Sequence, residues 1–124
     1  MANIQIFVSL DPTATDDPPV ILKTSGGTSA RDVTASNGDT IIWRRQDPMH
    51  HFDIVDLQPS GEGTSFQFKA IGGSGQFLTC LFQPTSCDED EEFPYTLYVE
   101  YDGTTYTTTD PDPEADDDRP VVRN

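Results

Sequence analysis

At 124 residues and 13.7 kDa, with hydrophobic residues at 34%, the chain is long enough for one domain with a narrow core and too short for two. A formal net charge of −15, from 7 basic and 22 acidic residues, disfavours nucleic acid and anionic membranes as partners, since each is held by a basic surface. Ten prolines and nine glycines interrupt the chain too often for helices of ordinary length, so an all-β domain is predicted.

The opening "MANIQIFVSL" has no basic n-region and no long apolar run, so neither a signal peptide nor a membrane span is expected. The chain reads as soluble, either cytoplasmic or secreted by a leaderless route or with a leader removed. "IQIFVSL" (4–10) is the first strand, ended by the turn-formers of "DPTATDDPP", and "VILK" (20–23) is the second, stopped by "TSGGTS". "ARDVTA" then runs through the turn "SNGD" into "TIIWRR", which is the pattern of a hairpin. Strands this short and closely spaced suit a sandwich.

In "HHFDIVDL", alternation places His50, Phe52, Ile54 and Asp56 on one face, and His51, Asp53 and Val55 on the other. Phe52 and Ile54 mark the buried side, which turns His50 inward and His51 outward. "SFQFKAI" alternates again, and "FLTCLF" (77–82) is apolar on both faces, as a central strand would be. "PYTLYVEY" (94–101) reaches Asp102-Gly103, a strong signal for a type I′ turn into "TTYTTT".

The acids are unevenly placed. Five lie in "DEDEE" (88–92) and six follow Thr109, leaving 11 acidic and 5 basic residues in the rest of the chain. Residues 1–109 are therefore read as a single β-sandwich domain and 110–124 as an acidic extended or disordered tail, whose removal should leave the melting temperature nearly unchanged. Neither acid run has the D-x-[DN]-x-[DN]-G spacing of a calcium loop, and solvated charge that protects sheet edges is the simpler reading.

With the strands placed, "NGDTIIW", "DPMHHFDI", "FQF" and "GSGQFLTC" together resemble the cupredoxin family of small blue-copper β-sandwiches, over roughly residues 31–101. The resemblance implies a Greek-key sandwich of two sheets, a plan shared with immunoglobulin-like domains. It also implies that His50, in the H-x-F spacing His50-x-Phe52, matches the family's first histidine ligand, and that Cys80 is the candidate thiolate. Counted from Gly75, however, Cys80 arrives one residue early, which turns a strand side chain to the opposite face unless a bulge intervenes. No histidine or methionine follows Cys80, so the usual set of two histidines, a cysteine and an axial methionine is incomplete.

Two readings of the cysteines stay open. Cys80 and Cys87, separated by "LFQPTS", form a loop staple or remain free thiols; alternatively Cys80, Cys87 and His50 gather, with Met49 nearby, as a soft site for copper(I) or zinc. Trp43 and Tyr95, Tyr98, Tyr101 and Tyr106 are core aromatics or an aromatic binding face, with alternation putting Tyr98 opposite Tyr95, Leu97 and Val99. None of the G-x-S-x-G, P-loop, H-E-x-x-H or dinucleotide patterns occurs, and no third residue orients His50 and Cys80 as base and nucleophile, so no enzyme is expected. The sequence thus points to a non-catalytic binding or assembly module on a copper-free cupredoxin-like sandwich, with a protein partner or self-association. The alternative is a copper-binding or electron-transfer protein using His50 and Cys80.

Overall fold

The computed structural model describes residues 3–14, 18–59, 66–73, 75–84, 92–108 and 120–123; for 59, 66–73 and 84 the description is limited to the strand backbone. It is an all-β sandwich of two mixed sheets. Among the described residues there is no helix, and so none long and apolar enough to cross a membrane.

Sheet A has the order β2-β1-β4-β7-β6, built from β1 (Asn3–Leu10), β2 (Val20–Lys23), β4 (Thr40–Arg45), β6 (Phe66–Gly73) and β7 (Phe77–Pro84). β1 and β4 run parallel, with Asn3 opposite Thr40 and Val8 opposite Arg45. Sheet B has the order β3-β10-β8-β5, with β9 also paired to β8; its strands are β3 (Asp32–Thr34), β5 (Asp53–Pro59), β8 (Glu92–Tyr101), β9 (Thr104–Thr107) and β10 (Val121–Arg123).

Period-two alternation explains the core. In β1 the residues Ile6, Val8 and Leu10 are buried while Gln5, Phe7 and Ser9 are not, and in β8 Phe93, Tyr95, Leu97 and Val99 are buried in the same way. The β8 row meets Ile41, Trp43, Cys80 and Phe82, which with the β1 row line the inner face of sheet A. The Trp43 and Tyr95 rings stand edge to face at 5.3 Å, and Trp43 Nε1 donates to Tyr95 Oη at 3.2 Å. Phe82 meets Phe93 in the same manner at 5.6 Å. Such pairs add roughly 1 kcal/mol each beyond their burial.

The C-terminal hairpin forms as expected: Asp102 (φ 51°) and Gly103 (φ 79°) both take positive φ, and Tyr101 pairs with Thr104. The β3–β4 hairpin does not. "SNGD" does turn, with Asp39 N donating to Ser36 O and Ser36 N to an Asp39 carboxylate oxygen. β3 nevertheless joins β10 in sheet B while β4 joins β1 and β7 in sheet A. A local turn signal cannot tell a hairpin from a crossover between sheets.

In β5 a bulge between Ile54 and Asp56 breaks the expected alternation. Asp56 is exposed instead of facing the core, and Leu57 packs against the core in its place. This flank of the sandwich is stitched by Ile54 N donating to Gly75 O and by the Arg45 guanidinium donating to Phe52 O. Gly75, at φ 83°, leaves no room for a side chain, since a Cβ there would stand 2.8 Å from Asp53 Oδ1.

The C-terminal residues correct the expected tail. Pro120 is buried, Val122 is fully buried, and β10 lies between β3 and β8, pairing Val122 with both Val33 and Phe93. Residues 120–123 therefore belong to the sandwich. β9 and β10 pair with successive parts of β8: continuing the β8–β9 register would bring residue 111 opposite Pro94, whereas Val121 stands there, ten residues later. The even offset preserves which face each side chain takes, so buried Thr108 and Val122 point the same way. The span 109–119 itself lies outside the described residues.

Candidate functional site

His50 sits in the loop before β5, not in the strand. Its ring is held by Asp47, whose Oδ2 lies 3.0 Å from His50 Nδ1, and stands edge to face against Tyr101 at 5.3 Å. Asp47 also accepts the backbone N–H of Leu10, Met49 and His50. Burial pushes the Asp47 carboxyl upward, but these bonds outweigh it and hold the group below its ordinary value. The His50 side chain is 22% exposed, so the ring predicted to point inward is half-buried against Tyr101. His51 is exposed, as alternation had it.

Cys80 lies elsewhere. It pairs with Ile41 near the start of β4, four residues before Arg45, so it stands about 13 Å along the strand from the end that carries the His50 loop. The thiol is buried and free, and burial pushes it up to about 11. A Cys80–Cys87 staple is therefore not formed; Cys87 itself lies outside the described residues. A protonated thiol at this depth is a poor ligand and a poor nucleophile. Among the described residues no three His, Cys, Asp or Glu side chains gather as a metal site. The structure does not bring His50 and Cys80 together.

Of the aromatics, Trp43 and Tyr95 are core residues, while Tyr98 is half-buried on the outer face of sheet B. A groove of about 450 Å³ runs beside β2, walled by Ala14, Pro18 and Ile21 and flanked by Lys23, Arg31 and Asp11. Arg31 also donates to Thr108 O, tying the groove wall to sheet B.

The larger feature is the outer face of sheet A. Strand register assembles a row Lys23–Phe7–Arg44–Phe77 across β2, β1, β4 and β7. The next rows set Gln5, Ile42 and Thr79 side by side, then Asn3, Thr40 and Leu81. Among the described outward positions of sheet A none is acidic, in a chain with 22 acids. Lys23 and Arg44 are exposed, neither makes an ion pair among the described residues, and Phe77 is 37% exposed.

Sheet B presents the reverse. Its outer face carries exposed Asp32, Asp53, Asp56, Glu92 and Glu100, and the one cation among its described outward positions, Arg123, is bridged to Asp32 and Glu92 at 2.8 Å each. Alternation along each strand was legible in the sequence, but the rows that join Phe7 to Arg44 and Phe77 exist only once the register is known. No family model matches the chain, and no curated protein matches it.

Proposed function

We propose that the chain is a non-catalytic binding or assembly module, a Greek-key sandwich of cupredoxin-like plan that works without copper and uses the outer face of sheet A as its contact surface. The observation that carries this reading is the absence of acid from the described positions of that face, where cations that form no ion pair among the described residues alternate with aromatic side chains. Charge segregation of this kind orients an approaching partner, and cations beside phenylalanine give it both attraction and apolar contact. The absence of copper from the proposal is supported by the separation of His50 from Cys80 and by the raised thiol.

The test is a titration of isotopically labelled protein with hexaglutamate and, separately, with copper(II). Amide shifts confined to β1, β4 and β7 around Phe7, Arg44 and Phe77 are expected, with no intense thiolate-to-copper band in the visible spectrum. Shifts scattered over both faces would overturn the assignment of the surface, and an intense band would overturn the copper-free reading.

A further inference from the structure

Resting on that contact surface, we infer that its partner is a second copy of the chain, which docks the acidic outer face of its sheet B onto the acid-free outer face of sheet A, head to tail. The two faces are complementary within one molecule. Sheet A offers Lys23 and Arg44 in one row with Phe7 and Phe77. Sheet B offers Glu100 paired with Asp53, and next to them Tyr98 paired with Asp56, with Val55 49% exposed at the bulge. Acid thus meets cation where Tyr98 and Val55 meet the phenylalanines.

The size of the face sets the strength. Five strands about 4.8 Å apart and about 20 Å long give roughly 500 Å² of plan area, which side-chain relief brings towards the ~800 Å² per partner of a standard interface. Falling short of that area and opposed by the chain's net negative charge, the face supports only weak association, visible at high concentration. The net charge of −15 opposes it at long range, but at about 0.15 M salt the screening length is about 8 Å and the contact pairs decide. Because the two faces lie on opposite sides of the sandwich, the contact is heterologous and does not close on itself as a two-fold dimer does.

Sedimentation of the full chain from micromolar to millimolar concentration at physiological salt tests this. Average mass should keep rising beyond that of a dimer. Arg44→Glu alone, and Asp56→Lys with Glu100→Lys alone, should each weaken association at least about tenfold, while mixing the two variants should restore it, because each then offers a face complementary to the other. All three positions are exposed, and Arg44→Gln gives a milder version of the first variant. A native chain that stays monomeric at millimolar concentration would overturn the inference while leaving the hexaglutamate result to judge the surface itself. A plateau at the dimer, or association unaffected by the sheet B substitutions, would also overturn it. Loss of both self-association and the hexaglutamate shifts would remove the contact surface along with its partner.

Discussion

The two outer faces of this sandwich are built from the same alternating strands, yet one is acidic and the other holds no acid among its described positions. A net charge of −15 describes neither face. Their inner sides are interchangeable in chemistry, since both bury aliphatic and aromatic residues at the same depth. The difference lies on the solvent-facing sides, where charge sets how other molecules approach.

The faces also differ in how they depend on the chain. Sheet A, as far as it is described, is assembled from residues before 85, whereas sheet B needs β10 at 121–123, between β3 and β8. The largest expected effect follows from this. Ending the chain after Thr109 removes Val122 and uncovers Phe93 and Val33, at a cost of about 5 kcal/mol, read as a large fall in melting temperature. Excising Asp110–Arg119 instead joins Thr109 to Pro120 and restores an unbroken register along β8. That variant should melt close to the native chain, and a fall as large as the truncation's would show that the two strands are not one interrupted strand.

A smaller effect tests what joins the sheets. Trp43→Phe leaves the buried Tyr95 hydroxyl without the indole donor, at a cost of about 2 kcal/mol in denaturant unfolding. A double-mutant cycle with Tyr95→Phe should give a coupling of about 1 kcal/mol for the pair. An unchanged midpoint for Trp43→Phe would mean the bond contributes nothing.

Smaller again is the behaviour of Cys80. In a Cys87→Ser chain, its thiol should react with an aromatic disulfide reagent only as fast as the protein opens. Its folded value of about 11 lies above the ordinary 9.0, so the unfolded chain ionises first, and this contribution to stability is complete below pH 9 and declines as pH rises towards 11. Rapid labelling of folded protein at pH 8 would contradict the burial.

The least effect is at Asp47. Its folded value is depressed below 3.8, so it stabilises the fold above that pH and ceases to do so as pH falls through the folded value. The advantage of native protein over Asp47→Asn should be full at neutral pH and shrink as pH falls below 3.8; an advantage that does not change from neutral pH into acid would exclude the carboxylate as its source.

Much of this fold was legible in the sequence, and the misses have physical causes. β1, β4 and β8 announce themselves by alternation, and Asp102-Gly103 by its positive-φ preference. β10 is hidden because three residues after an acidic, proline-containing run look like a tail, and only pairing with β3 and β8 makes them a strand. "SNGD" turns the chain without revealing that it changes sheets. His50 was placed by extending a strand's alternation into a loop, where the Asp47 carboxylate sets the ring instead. Cys80 was drawn towards His50 by motif order, which carries no information about the strand length between them.

The contact surface is tested most directly by the affinity of hexaglutamate for three forms of the chain. Arg44→Glu should abolish binding while Phe77→Ser weakens it, both with native melting temperatures. Equal binding by native protein and Arg44→Glu would contradict the assignment of sheet A's outer face.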